Sequence, residues 1–238
     1  MTDLEYLELK SNKEILAELF RSLIAYSGVN KSLPEEEFKK ELQKVLNFEY
    51  INDFHLLESC TDLIEDTDYA IQDFLVNGLE TKLKSQGELY LRLYGILNAI
   101  YLQINAIIEL VEIFKANNKK EVISKFKDLD IYKLRNMVGS HTVNYTIDNS
   151  KKPNKDNTDF FRVAQNSIDK WSTNLLVVSQ KTECYDFNLK QSVIDFIQVS
   201  DKVLLDICNK VEPKLFPKRK DLNEWMMFRL EHVRNKIN

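Results

Sequence analysis

Apolar residues recur every three or four positions along most of this chain, the spacing of one face of an α-helix. Ile15, Leu19 and Leu23 form one such series. From Glu88 to Ala116 the apolar positions are so dense that few remain for solvent, which predicts a central helix. The predicted helices are 12–27, Ser32 to about Val45, 51–83 with a break near Asp66 to Asp68, 88–116, 120–126, 130–141, 191–211 and 221–236.

Several residues predict where these helices begin and end. Ser32 and Glu35 have the spacing of a capping box, with Pro34 early in the helix. Gly28 is placed to end the first helix, and Pro213 and Pro217 are placed to end the helix that begins near residue 191.

A polar run interrupts the helical pattern at residues 149–158 and includes Pro153, which predicts a loop. Three short segments rich in β-branched and aromatic residues follow, at 160–168, 174–178 and 184–189. The last alternates with period two, which is typical of a strand. These segments predict a small β-hairpin or three-stranded insertion.

The expected fold is therefore mainly α, an antiparallel helical bundle with a small β-hairpin insertion near residues 160–189. We expect a single domain over residues 1–238, with N-terminal helices at 12–46 and the β insertion around 159–189. The scarcity of glycine (5) and proline (4) in 238 residues agrees with long helices.

Charge and cysteine content restrict the partners and the compartment. The formal net charge is -4, so any binding of phosphate must depend on local cations. Cys60, Cys184 and Cys208 are odd in number and widely spaced, which favours buried thiols in a reducing compartment over a disulfide framework or a zinc site. The N-terminus lacks the pattern of a signal peptide, and the apolar stretch Gly95 to Ile108 is too short and too polar to span a bilayer. We expect a cytoplasmic protein with no membrane partner.

The common signatures of nucleotide, metalloprotease and hydrolase sites are absent from the sequence: GxGxxG, GxxxxGK[ST], HExxH and GxSxG do not occur. A dicarboxylate metal site would need a Glu-x-x-His motif, which is also absent. We expect neither a metal nor a cofactor.

Arg135 and His141 are the residues with the clearest chemical potential. Arginine is always charged and its planar fork of donors suits phosphate oxygens, whereas histidine gains and loses a proton near neutral pH. Together they would supply a charge stabiliser and a general acid or base, which metal-free RNA cleavage requires.

The helix geometry sets a condition on this pair. Six residues of an unbroken α-helix rotate by about 600°, which leaves the two side chains roughly 120° apart. They converge if the long arginine reaches across, or if Gly139 and Ser140 loosen the helix and re-aim the imidazole. Gly139 has an equally plain interpretation, close packing against the central helix.

The Arg135-Asn136 pair, four further residues and His141, near the end of a helix that follows a long apolar one, resembles the HEPN superfamily. The resemblance covers roughly 50–145 and 190–236, and its motif covers seven residues. It implies a helical bundle that dimerises through the motif helices, and many members are metal-independent endoribonucleases in toxin-antitoxin or antiphage systems. It also implies that Arg135 binds the scissile phosphate, His141 acts as acid or base and Asn136 orients them. Tyr145 lies near a tyrosine of some members, but at a longer spacing.

Three hypotheses follow. The first is a homodimeric HEPN-like endoribonuclease, in which two Arg135/His141 pairs face each other and the 2′-hydroxyl attacks the adjacent phosphate. The second is a non-catalytic helical module that binds RNA, a nucleotide or a protein partner such as an antitoxin, which the acidic net charge favours. The third is a structural bundle in which a helix-end histidine and a surface arginine form the motif by accident.

Other residues are assigned structural or surface roles. Asn98, Gln103 and Asn105 in the central helix need hydrogen-bond partners if buried, and we expect them to bond across the bundle. The alternative is that one of them, with Asn98 as the candidate, supports the motif. His55 and His232 have no matching upstream arginine, and Arg234-Asn235 has no following histidine.

Two further groups remain open. Tyr90, Tyr94 and Tyr101 are spaced to lie near one face of the central helix, more typical of a core or a dimer interface than of a base-stacking platform. The basic cluster is expected to be a solvated turn that could also help to hold RNA; it comprises Lys214, Lys218, Arg219 and Lys220.

Overall fold

The computed structural model describes residues 2–27, 33–80, 85–116, 118–140, 145–146, 158–181, 183–215 and 220–237. It is mainly helical with a small antiparallel sheet, so the predicted fold class is confirmed. The helices are α1 Asp3–Glu8, α2 Asn12–Ser27, α3 Glu35–Leu46, α4 Asp53–Asn77, α5 Gln86–Ile113, α6 Lys119–Asp128, α7 Asp130–Leu134, α8 Leu189–Leu215 and α9 Lys220–Ile237.

Five short strands are also described: β1 Tyr145–Thr146, β2 Thr158–Asp159, β3 Phe161–Val163, β4 Leu175–Ser179 and β5 Cys184–Phe187. The strands β3, β4 and β5 form an antiparallel sheet in that order. Phe161 pairs with Ser179, and Leu175 pairs with Phe187. In β4 the residues Leu175, Val177 and Ser179 are buried in alternation with half-buried neighbours, so the predicted three-stranded arrangement is confirmed. The pair β1 and β2 is separate, and most of the predicted loop at 149–158 lies outside the described residues.

Some predicted helix ends were wrong. The helix α4 runs through Asp66 to Asp68 without a break, and within it Thr67 donates its hydroxyl to the carbonyl of Leu63. The residue that caps α3 is Pro34, which forms no side-chain cap bond, rather than Ser32, which is outside the described residues. The helix α8 continues two residues past Pro213. The short helix α1, closed by a capping box between Thr2 and Glu5, was not predicted.

The central helix α5 has 28 residues and is strongly apolar. This helix extends well beyond the stretch from Gly95 to Ile108, and it is long and apolar enough to span a membrane by length and composition alone, a test that core helices also pass. In its most apolar 18-residue window, 61% is buried inside the protein, which is typical of a core helix. The helix therefore supplies core side chains, as the sequence predicted.

The chain folds into two compact units. The first, unit 1, comprises Met1–Asp68, Leu102–Ile123 and Gln198–Asn238. Its core contains an aromatic cluster, in which Phe114 contacts Phe20 and Phe48 at ring-centroid distances of 5.9 Å and 5.5 Å. Burial of such side chains on all sides is the main source of its stability.

A buried ionic cluster lies inside unit 1 and was not predicted. The Lys13 side chain is 1% exposed, and its Nζ lies 2.7 Å from Asp201 Oδ1 and 4.0 Å from Asp68 Oδ1. Asn12 donates to the second oxygen of Asp201, and Ser11 donates to Asp68. The helices that carry these residues are thereby joined by groups that cannot be left unpaired without a large desolvation cost.

The second unit, unit 2, comprises Tyr69–Tyr101 and Ser124–Ile197, and it contains the sheet. Its core includes a contact between Phe74 and Trp171, with ring centroids 6.4 Å apart. At the end of α4, Gly78 adopts a φ of +68°, and a Cβ there would collide with the carbonyl of Lys170. The next residue, Leu79, donates its N–H to that same carbonyl at 2.7 Å, so this position requires glycine.

Candidate functional site

The helix that carries the predicted motif changes its geometry at the first motif residue. The short helix α7 places Ile131 and Leu134 in the core of unit 2, and a π-helical turn, Arg135–Ser140, follows directly. We call this segment the motif turn. A π turn uses hydrogen bonds between residues five apart, and such turns are rare and frequently occur at functional sites. The helix does depart from α geometry in the segment that contains Gly139, and the departure already begins at Arg135.

Gly139 does not provide close packing against the central helix. It is exposed, and a Cβ at this position would meet only the Cγ of Arg135, at 3.9 Å, an ordinary contact. The packing interpretation was therefore wrong. The remaining structural role for Gly139 is backbone flexibility, which allows the chain to adopt a wide helical turn.

Arg135 lies on the face of an aromatic ring. Its guanidinium carbon is 3.4 Å from the centre of the Tyr101 ring, and both side chains are half-buried. The negative face of the ring stabilises the cation, and contact with the ring restricts the guanidinium to one plane. Among the described residues, Arg135 forms no ion pair, so its charge is not neutralised by a carboxylate there.

Asn136 completes the local arrangement around the arginine. Its side-chain oxygen accepts a hydrogen bond of 3.1 Å from Nη1 of Arg135. This contact is of the kind expected of a neighbour that orients the guanidinium. Because one amide oxygen satisfies one of five donors, the planar fork keeps donors for an anion.

The other predicted site residues fall into two groups. His141 lies outside the described residues, as do the side chains of Ser140 and Tyr145, although their backbones end the motif turn and form β1. Asn98 is on α5 and its side chain is exposed, so solvent can satisfy its hydrogen bonds. The structure thus brings Arg135 and Asn136 together, and the convergence of Arg135 with His141 stays a prediction.

The residues Tyr90, Tyr94, Asn98 and Tyr101 share one face of α5, which we call the tyrosine face. Their spacing confines them to about 80° around the helix axis. Tyr101 supports Arg135, whereas Tyr94 is 45% exposed. Part of the tyrosine face is therefore open to solvent, so packing in the core does not account for all of its tyrosines.

A cleft in unit 2 begins at the open end of the tyrosine face and has a volume of about 740 Å³. We call it the sheet cleft, because strands β3 and β4 form one of its walls. Val138 of the motif turn contributes to the apolar floor, and Tyr90 and Tyr94 form the opposite wall. Its volume lies within the range of about 300–1,000 Å³ that is typical of small-molecule sites.

The buried amide of the central helix serves the core of unit 1. Gln103 donates from Nε2 to the carbonyl of Ile64 and to the hydroxyl of Thr67, each at 2.9 Å. Both contacts cross to α4, which confirms the expected hydrogen bonding across the bundle. Gln103 is therefore a structural residue rather than part of the site.

The cysteines were predicted to be buried, which is correct for two of the three. Burial raises the pKa of Cys60 to about 12 and also raises that of Cys208. Cys184 was predicted wrongly, since its side chain on β5 is exposed. In the part of the chain that the structure describes, no group of three or more His, Cys, Asp or Glu residues could hold a metal ion.

Sequence reasoning missed the cleft and the role of Tyr101 beneath Arg135. The i, i+4 and i+11 spacing of Tyr90, Tyr94 and Tyr101 predicted a shared face, but only the fold shows which segment covers each ring. No protein-family model matches the chain, and no curated protein and no solved structure matches it either.

Proposed function

We propose that the protein is a metal-independent endoribonuclease of the HEPN type, cytoplasmic and homodimeric through its motif helices. The observation that carries the proposal is that the Arg135 side chain is held in place. Its guanidinium lies against the Tyr101 ring and donates a hydrogen bond to Asn136, on a π-helical turn. A planar cation without a carboxylate partner among the described residues is suited to a phosphodiester. Toxin-antitoxin or antiphage defence is the proposed setting.

The proposed reaction begins at a ribose 2′-hydroxyl. Its oxygen bonds to the adjacent phosphorus while His141 accepts the hydroxyl proton, and the bond from phosphorus to the 5′-oxygen breaks. The leaving 5′-oxygen takes a proton from the second motif of the dimer, so the products are a 2′,3′-cyclic phosphate and a 5′-hydroxyl. Arg135 stabilises the charge that accumulates on the phosphoryl oxygens, an effect worth about 10²–10³ in rate for one such donor in other enzymes.

The test is cleavage of a single-stranded oligoribonucleotide in the presence of EDTA. We expect cleavage by the unaltered protein, and a loss of about 10²-fold or more in both Arg135→Ala and His141→Ala. Replacing the ribose at the cleaved position with 2′-deoxyribose abolishes cleavage, because the nucleophile is removed. Cyclic phosphate ends, detected by mass spectrometry, identify the same route.

The chain offers matched controls for this experiment. Arg234 also precedes an asparagine but no histidine follows it, and His55 is an exposed histidine on α4. Arg234→Ala and His55→Ala should cleave at rates close to that of the unaltered protein. Cleavage that persists in both Arg135→Ala and His141→Ala would overturn the proposal.

The second candidate is a non-catalytic helical module that binds RNA, a nucleotide or a protein partner such as an antitoxin. The observation that favours it is the sheet cleft, a concave site whose described lining contains no histidine and no carboxylate. On this alternative the protein binds the oligoribonucleotide but leaves it intact. Binding would then weaken in Arg135→Ala, whereas His141→Ala would change it little.

A further inference from the structure

The polar side chains that line the sheet cleft form no side-chain hydrogen bond and no ion pair with other described residues. Arg162 of β3 forms no ion pair there, and the hydroxyls of Tyr90 and Tyr94 form no hydrogen bond there. The exposed amides of Gln165 and Asn166 likewise form no side-chain hydrogen bond within that part of the chain. Donors and acceptors that converge on a concave surface without using one another are available to a ligand.

The charge of the lining defines the class of ligand. No carboxylate of the described residues lines the cleft, and Arg162 is the one cation among them that does. The floor is apolar, with Val138 and Phe161 buried beneath it. A ligand that suits this lining has a flat apolar surface, a polar edge and a negative charge near Arg162.

The two tyrosines determine how a flat ligand would bind. Their ring centroids are 6.0 Å apart with a tilt of 32°. A ring inserted between them would need a separation of about 7 Å, twice the contact distance of about 3.5 Å. A flat ligand therefore stacks on the outer face of Tyr94, which is 45% exposed, while Tyr90 supports that ring from one helical turn away.

The cleft is close to the proposed catalytic arginine within the same unit. Val138 of its floor follows Arg135 by three residues in the motif turn, and β3 packs against that turn. The tyrosine face also connects the two places, because Tyr101 lies under Arg135 and Tyr94 lines the cleft. An extended, polymeric ligand that occupies the cleft would thus continue toward Arg135.

We propose that the sheet cleft binds one unpaired nucleotide of single-stranded RNA, next to the phosphate held by Arg135. The base stacks on Tyr94, the amides of Gln165 and Asn166 bond to its edge, and Arg162 contacts its phosphate. This inference rests on the proposed function, since it assigns the substrate of that site as unpaired RNA. Duplex RNA is excluded as a substrate because its bases are not free to stack on a side chain.

The test measures binding separately from cleavage. A fluorescein-labelled oligoribonucleotide with 2′-O-methyl groups throughout cannot be cleaved, and its Kd is measured by fluorescence anisotropy with the full chain. Tyr94→Ala should weaken binding about 5- to 150-fold, the range for loss of one stacked base, and Tyr94→Phe should bind within about twofold. Tyr50→Ala removes an exposed tyrosine from unit 1 and should leave the Kd unchanged.

Salt dependence distinguishes the role of Arg162 from that of Tyr94. Arg162→Ala should lower the slope of log Kd against log salt concentration by about 0.7, the value for one phosphate contact to a single strand. Arg162→Lys should restore the slope, and Lys202→Ala, which removes an exposed cation elsewhere, should not alter it. Tyr94→Ala should weaken binding at every salt concentration without altering the slope.

The outcomes separate this inference from the proposed function. If the unaltered protein binds through Tyr94 and Arg162 but cleaves no RNA, the cleft assignment stands and the ribonuclease proposal fails. If RNA is cleaved while Tyr94→Ala and Arg162→Ala bind normally, the cleft assignment is overturned and the ribonuclease remains. If Tyr94→Ala instead converts a dimer to a monomer in sedimentation and no oligonucleotide binds, this surface is a subunit interface and the assignment is overturned.

Discussion

Arg135 and Tyr101 form a face-to-cation contact of 3.4 Å within unit 2, between the motif turn and the central helix α5. The contact restricts an arginine whose flexible side chain would otherwise have many rotamers. It also gives Tyr101 a role in the proposed reaction without contact with the substrate. Tyr101 is on this basis a positioning residue.

Replacing Tyr101 should reduce cleavage according to the loss of its ring. Tyr101→Leu removes the face that holds Arg135, and a cation–π contact of about 0.5–2 kcal/mol corresponds to a fall of about 2- to 30-fold in kcat/KM. Tyr101→Phe keeps the ring and should keep most of the activity. The measurement is kcat/KM for RNA cleavage, with a thermal unfolding curve for each variant.

Two results would contradict this role. An equal loss in Tyr101→Phe would assign the effect to the hydroxyl, and an unchanged kcat/KM in Tyr101→Leu would remove Tyr101 from the reaction. Arg135→Lys provides a further comparison, because lysine keeps the charge but not the planar group that lies on the ring. We expect its activity to be close to that of Arg135→Ala.

Gly139→Ala should separate stability from activity. The added methyl group meets only the Cγ of Arg135, at 3.9 Å, so no clash destabilises the folded state. Alanine costs less than glycine in a helix, and the free energy of unfolding should be unchanged or higher by up to about 1 kcal/mol. Because alanine favours regular α geometry, RNA cleavage should fall while stability does not.

Urea unfolding and a cleavage assay on the same preparation test this prediction. A loss of about 2 kcal/mol or more in Gly139→Ala would mean that the backbone there needs glycine. Unchanged activity would mean that the geometry of the motif turn is not required for the reaction.

Lys13→Met should destabilise the protein strongly. It leaves Asp68 and Asp201 buried without their cation, and breaking a buried ion pair in this way costs about 3–5 kcal/mol. The free energy of unfolding in urea measures the effect. Lys10→Met is the matched control, since Lys10 pairs with Glu18 at 2.6 Å in a partly exposed position, and such pairs contribute about 0–1 kcal/mol.

Thiol reactivity should distinguish Cys184 from the two buried cysteines. Only the thiolate reacts, and a pKa of about 12 leaves about one Cys60 side chain in 10⁴ ionised near pH 8. A chromogenic disulfide should therefore modify Cys184 alone in the folded protein, and all three cysteines in urea. Raising the pH toward 12 increases the fraction of Cys60 thiolate, but the side chain is 4% exposed and stays inaccessible while the protein is folded.

The control for this experiment is Cys184→Ser. This variant should show no rapid reaction when folded and two reactive thiols when unfolded. Rapid reaction of Cys60 or Cys208 in the folded state would contradict their burial.

The sequence predicted the helices because their apolar spacing reflects burial directly. The bounds of α2 and of α5 agree with the prediction to within about three residues, and the three sheet strands lie within the predicted insertion. The burial of Lys13 was the main feature of the core that the sequence did not predict. A lysine in an apolar face gives no local sign of its carboxylate partners, Asp68 and Asp201, which are distant in the sequence. Such long-range pairing has no period that a sequence pattern could reveal.

The site was predictable in its residues but not in its contacts. The Arg135-Asn136 pair was identified from the motif, and the structure adds the hydrogen bond between the two side chains. The π-helical turn could be anticipated only as a weakness near Gly139. Arg162 carried no signal, because an arginine in a strand is ordinary until a cleft is found beside it.

Gly78 has a consequence for the whole of unit 2. Its missing side chain lets the end of α4 meet the backbone at Lys170, five residues before β4 begins. A larger residue there would displace the start of β4, and β4 sets the register of β3, in which Arg162 pairs with Val178. The distance between one helix and one loop therefore controls where a cation of the cleft lies, and a mutation at Gly78 would shift the proposed nucleotide site without changing its lining residues.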